Sequence, residues 1–387
     1  MAYYFLFPEN DTTLYSHPDR SKMNTGNDEI LELVKERGTT DQLLYPSRVL
    51  IKFKNEEIQS AITDIIGHTN FQTSTSSSLQ LFSAQGKNVA TTLNINVYAI
   101  SQSWDEGTGR YSNLPTSSNG SSWIYRNNTT TATEWTTASF GNESTGSVSA
   151  SGNNILLTPG GGVWYTGSEF RASQQFKVGD TLDTNIDVYN IVQKWSASLF
   201  ASQTYPTGIH NNGFLLKKPD SIEVDVSRSF GELQYFSVDT HTIFPPKLTF
   251  KWDDSIHNSQ SLAKQNGELN VSLYRNQEEY NQNDEAIFRV HVRDKYPARQ
   301  FASSSNYLNV GYFTTSSFYS VRDADSEEEI IPFDTTFTKL SADDEGMHFK
   351  IYIKGLQPER YYRILFKHIN NEGTRVYDNN YYFKVIR

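Results

Sequence analysis

Phe288-Arg289-Val290-His291-Val292-Arg293 alternates apolar and basic side chains at every step, and Phe349-Lys350-Ile351-Tyr352-Ile353-Lys354 alternates in the same way. A period of two sends one row of side chains into a core and the other into water, which predicts half-buried strands. Leu269-Asn270-Val271-Ser272-Leu273, then Tyr362, Ile364 and Phe366, then Tyr381, Phe383 and Val385 repeat the pattern. Five such strands within about 120 residues predict an antiparallel sandwich over residues 267–387.

Working outward, Asp253-Asp254-Ser255-Ile256-His257-Asn258-Ser259-Gln260-Ser261 is polar and breaks the alternation, so a linker is expected over 254–266. Leu248, Phe250 and Trp252 close a first domain over 1–253 with a strand. That domain is less regular. Val49, Ile51 and Phe53 suggest one strand, Leu79 and Leu81 another, Ile95 and Val97 a third. Ile58, Ile62 and Ile65 have helical spacing after Glu56-Glu57, and Val188, Ile191, Val192, Trp195 and Leu199 share a second helical face. Asp28–Lys35 has helical propensity. Asn127–Gly162 is poor in apolar residues and ends in Pro159-Gly160-Gly161-Gly162, which predicts one or two surface loops, either a contact arm or an insertion without function. The expected fold is mostly β: a jelly-roll-like sandwich with two short helices, then an Ig-like sandwich.

Composition agrees. Tyr and Phe number 23 each, and these ring residues suit a pleated, half-buried surface. The balance of 34 basic and 44 acidic residues gives a net charge of −10, which argues against nucleic acid as a partner. With no cysteine, disulfides, thiolate metal sites and thiol nucleophiles are excluded. The opening Met1–Thr13 has no basic n-region and its apolar run stops at Pro8, so neither a signal peptide nor a membrane partner is expected.

Candidate chemistry is sparse. Asp105 and Glu106 are adjacent, and strand neighbours point to opposite faces, so they do not form a glycosidase pair. The eight histidines show no metal-ligand spacing. Gly160-Gly161-Gly162 lacks the Lys-Ser/Thr of a phosphate loop. No catalytic residue, metal or cofactor is indicated, and the chain is expected not to be an enzyme; the Asp- and Asn-rich loops have the composition for a Ca²⁺ ion without pointing to one. Trp104, Trp195 and Trp252 occupy patterned positions and are expected in the core. Trp123, Trp135 and Trp164 lie in or beside the long loop and are the candidates for contact with a partner or a glycan, the alternative being that they pin the loop down.

Three resemblances extend this reading. Leu356-Gln357-Pro358-Glu359-Arg360-Tyr361-Tyr362 resembles the L-x-P-x-x-x-Y of fibronectin type III and related Ig-like domains, which implies that the Tyr362 hydroxyl bonds back to the main chain at a strand corner. Residues 8–253 are similar to DNRLRE-type jelly-roll modules, some of which bind polysaccharide. The matching pieces are Asn24-Thr25-Gly26-Asn27 before Ile30-Leu31-Glu32-Leu33, Arg48-Val49-Leu50-Ile51-Lys52-Phe53, Trp104–Pro115, Ile186-Asp187-Val188 with Trp195, Asn212–Leu216, and Phe236-Ser237 with Pro246-Lys247-Leu248. This likeness implies a strand at Ile30–Leu33, and the insertion near 127–175 departs from the short module.

The whole chain also resembles virion structural proteins of contractile-tailed marine phages, the cyanophage type. Tyr3–Thr12, Trp195–Pro206 and Tyr381–Arg387 carry that likeness. It implies a virion protein assembled in the host cytoplasm, a component of tail, neck or baseplate, held by other virion proteins in a symmetric multimer around the particle axis. A carbohydrate-binding module recognising a host-surface glycan is the alternative, and a polysaccharide-degrading enzyme the second. The position in the particle stays open.

Overall fold

The computed structural model describes residues 2–112, 119–136, 143–144, 160–200, 208–258, 263–264, 268–296 and 311–387. The chain is mostly β, built from antiparallel sheets with a few short helices. It divides into two compact units: Met1–Phe5, Ile66–Thr75 and Phe250–Arg387 form one, Leu6–Ile65 and Ser76–Thr249 the other. Part of the expected linker, 259–262 and 265–266, lies outside the described residues, as do Asn113–Pro115 of the quoted motifs, the 201–206 part of Trp195–Pro206, and 137–142 and 145–159 of the long loop.

The unit that holds the C-terminal residues is a two-sheet sandwich. One sheet runs Leu269–Tyr274, Glu285–Asp294, Gly346–Tyr352, Ser341–Asp343; the other runs Glu279–Asn281, Gly373–Ile386, Arg360–Asn370, Ser317–Asp323, Glu329–Ile331. Val290, Phe288 and Phe349 from the first sheet meet Tyr319, Phe366 and Phe383 from the second. Phe288 and Phe349 stack at 5.2 Å, and Tyr319 and Phe349 at 4.4 Å. Tyr3 and Phe5 also enter this core.

In the other unit a six-stranded sheet orders Arg171–Lys177, Thr92–Ala99, Phe214–Lys217, Leu44–Lys52 and Asn10–Tyr15, with Lys35–Arg37 also pairing Leu44–Lys52. A three-stranded sheet orders Ile30–Leu33, Glu232–Phe236 and Ser83–Lys87. Both faces of the larger sheet are covered. Ile51, Phe214 and Ala99 stand opposite one another on one face, where Trp195 of the helix Tyr189–Leu199 reaches Phe214 at 4.5 Å. Leu50, Leu215 and Tyr98 share the other face, under Trp104, Trp123, Trp135 and Trp164. A strand buried on both sides has no reason to alternate, which is why Arg48–Phe53 does not.

The helix Asn55–Ser60 continues as a π-helix, Ala61–Ile66. The wider turn changes the face, so Ile66 is buried with Ile58 and Ile62, while Ile65 is only half-buried. His68–Thr73 and Asp220–Glu223 add two short helices to those expected.

Candidate functional site

Two of the quoted segments form a clamp. The Asn24 side-chain amide donates to the carbonyls of Glu106 at 2.5 Å and Ser121 at 2.8 Å, and its Oδ1 accepts from the Gly109 N–H at 2.7 Å. Gly107, at φ +83°, passes so close that a Cβ there would lie 2.4 Å from Asn24 Oδ1. Glu106 accepts from the Asp11 N–H at 2.7 Å and from Asn10 Nδ2 at 3.0 Å. Burial raises its pKa while those two bonds act to lower it. Asp105 instead accepts from Asn127 Nδ2. The two carboxylates therefore serve separate structural bonds.

The expectation for three tryptophans is corrected. Trp123, Trp135 and Trp164 are 0%, 4% and 3% exposed, so no indole face of theirs is presented to a ligand. Trp123 and Trp164 both pack on the Arg48 guanidinium, at 4.6 and 5.0 Å from the ring centres. Arg48 binds Glu223 through Nε at 3.1 Å and Nη2 at 2.7 Å, Lys217 lies 2.9 Å from the same carboxylate, and all three side chains are fully buried. Burial acts to raise the Glu223 pKa, but Arg48 and Lys217 outweigh it and hold the carboxylate below its ordinary range. The Gly161 carbonyl accepts from Arg48 Nη1 at 3.0 Å. The triple glycine thus lies against Arg48 and Trp123, and the tryptophans pin the described part of the loop to the sheet. Trp104, Trp195 and Trp252 are buried as well.

Beside the clamp lies a groove of about 770 Å³, lined by Glu32, Lys35, Glu36, Tyr111, Phe230 and Gln234 among others. A hollow of about 360 Å³ shares Glu32 and Tyr111 with it and adds Tyr15, Asp28 and Arg110. Tyr111 is set by its N–H, which donates to Asp28 at 3.0 Å. Its hydroxyl donates to Glu36 Oε1 at 2.7 Å, and Arg20, also bound to Glu36, lies 4.4 Å over its ring. Glu32 accepts from the Tyr15 hydroxyl at 2.6 Å on one oxygen and from Gln234 Nε2 at 2.6 Å on the other. Burial, then Glu36, pushes the Tyr111 hydroxyl well above its ordinary range, so it stays a donor.

Lys35 sits beneath, donating to the carbonyls of Ile222 at 2.6 Å, Arg228 at 3.0 Å and Asp225. Burial pulls its pKa down to about 8, with Asp225 and Glu223 opposing. Fixed acceptors, exposed Arg37 and Arg228 and aromatic walls suit the groove to orient a polar ligand. Tyr111 and Glu32 fall inside quoted segments, but nothing in their spacing signals that they meet Glu36 and Gln234.

In the other unit the Tyr362 hydroxyl donates to the Gln357 carbonyl at 3.0 Å. The outer face of the hairpin made by Arg360–Asn370 and Gly373–Ile386 carries exposed Tyr361, Ile369, Val376 and Tyr382. Among the described residues no group of three His, Asp or Glu side chains is placed to hold a metal ion, and no helix is long and apolar enough to cross a membrane.

No family model matches the chain, and no curated protein matches it. Among solved structures, the adhesin domain of Epf from Streptococcus pyogenes aligns over 100% of this chain and 91% of that chain, with 8% sequence identity and a TM-score of 0.18, a likeness that carries no argument about fold or function.

Proposed function

We propose that this chain is a structural component of a tailed-phage virion, a tail, neck or baseplate protein that works through contacts with other proteins. The single structural observation behind the contact role is the row Tyr361, Tyr382, Val376 and Ile369. Their register partners Lys384, Arg363, Lys367 and Thr374 share that one outer face. Large apolar side chains gathered on a solvent-facing sheet mark interaction surfaces. The particle itself is supported by the resemblance of Tyr3–Thr12, Trp195–Pro206 and Tyr381–Arg387. Mass spectrometry of purified particles after lysine cross-linking tests both parts. The chain is expected in the particle, with Lys367 and Lys384 linked to neighbours. Particles lacking the chain would end this reading.

A second reading, recognition of a surface glycan, is favoured by the groove around Tyr111 and Glu32. Its polar, aromatic lining and volume suit one or two sugar rings. Glycan-array binding that is lost in Tyr111→Ala would support it over contacts between proteins alone.

A further inference from the structure

His368 is fully buried in the strand Arg360–Asn370. Its ring stacks on Phe313 at 4.5 Å and 28°. Nε2 shares a hydrogen bond of 3.0 Å with Thr314 Oγ1, while Nδ1 is shielded from solvent and has no hydrogen-bond partner. Its register partners are Ser317 on one side and Arg375 on the other. The charged group that faces it is therefore a cation, and Arg375 is itself bound to Glu372 at 2.9 Å. Phe313, Thr314 and Ser317 bring no charge. A second proton on this ring would place an imidazolium in an apolar stack, beside a guanidinium, with no acceptor for Nδ1–H.

We propose that His368 is an acid-sensitive latch: protonation frees Tyr312–Phe313 and the adjoining end of the Arg360–Ile386 hairpin, the end that carries Ile369 and Val376. Burial first, and Arg375 second, lower its pKa, in keeping with the geometry. Because the folded value lies below the unfolded one, the unfolded chain takes up the proton more readily. The latch holds above the ordinary histidine range of about 6.5 and weakens as pH falls below it. The carboxyls whose pKa burial raises, Asp11, Asp28 and Glu106, belong to the other unit, so exchange read at the peptides around His368 separates the two effects.

Hydrogen–deuterium exchange of the full chain at neutral pH and at about pH 5, corrected for intrinsic rates, tests this. Peptides spanning 311–322 and 363–378 are expected to exchange roughly tenfold faster in acid, and those spanning 285–294 to keep their protection. His368→Gln keeps a partner for Thr314 and cannot titrate, so its acid response should vanish. Unchanged protection in the wild type, or an acid response that survives in H368Q, overturns the proposal. Should H368Q fail to fold, the wild-type imidazole resonance decides. Titration of His368 near 6.5 with both peptides still protected overturns the latch, and titration only as they open supports it.

Discussion

The Tyr362 hydroxyl reaches back to the Gln357 carbonyl at 3.0 Å, closing the turn that feeds the strand Arg360–Asn370. The ring is 2% exposed and stacks on Phe383 at 5.5 Å. Tyr362→Phe keeps the ring and deletes only this donor to the Gln357 carbonyl. The expected cost is roughly 0.5–1.5 kcal/mol, seen as a lower urea midpoint at unchanged slope. An unchanged midpoint would mean that the hydrogen bond adds nothing to stability.

Glu223 is the anion that two buried cations share, and removing its charge should cost more. Glu223→Gln leaves Arg48 and Lys217 in a site with no exposure. Breaking such a network costs roughly 3–5 kcal/mol. The folded carboxyl lies below its unfolded value, so its contribution is complete above about pH 4.5 and fades as pH falls below that value. Urea titrations at neutral pH and in acid should therefore show the wild type falling toward the variant. A neutral-pH loss under about 1 kcal/mol would show that the network is dispensable.

What could be read from sequence follows from how each sheet is covered. Glu285–Asp294 has one wet face, so its burial alternates and the period of two is plain. Leu44–Lys52 is buried on both faces, and Arg48, a charged residue in the middle of it, gives no sequence hint that two indoles and a carboxylate wait for it. Asp28–Lys35 has helical propensity, yet Ile30–Leu33 is a strand because Glu232–Phe236 pairs with it, a partner distant in sequence. The clamp residues Asn24 and Glu106 were visible as motif members, but their bonding was not. The groove was hidden for the same reason: Glu32 and Gln234 become neighbours only through that pairing.

Gly161 tests the close approach of the loop to Arg48. At φ +73° it occupies a conformation that side chains disfavour, and a Cβ there would lie 2.8 Å from Arg48 Nη1 and from the Trp123 ring. Gly161→Ala should lose more than about 1 kcal/mol, because strain adds to the clash. It should also open the tryptophan layer. All six indoles are buried in the wild type, so iodide should quench their fluorescence weakly; in G161A, quenching should rise. Strong quenching of the native wild type would contradict the burial of Trp123, Trp135 and Trp164.

Asp323 offers an acid test confined to the other unit. Its side chain is 2% exposed, and burial alone would raise its pKa. Arg360 Nε donates to it at 2.5 Å, and the N–H groups of Asp325 and Ser326 donate at 3.0 and 2.9 Å. Together they hold the carboxyl at about 2. An unfolded aspartate titrates near 3.9, so the stabilisation is complete above that value and disappears as pH falls from about 4 to about 2. Asp323→Asn keeps the shape but gives up the charge and one acceptor, at a cost of roughly 1–3 kcal/mol near neutrality. Its stability should then fall less steeply than the wild type's across that acid window. Parallel acid limbs for the two proteins would show that Asp323 is not the group being titrated, and that Arg360 holds it without shifting its proton affinity.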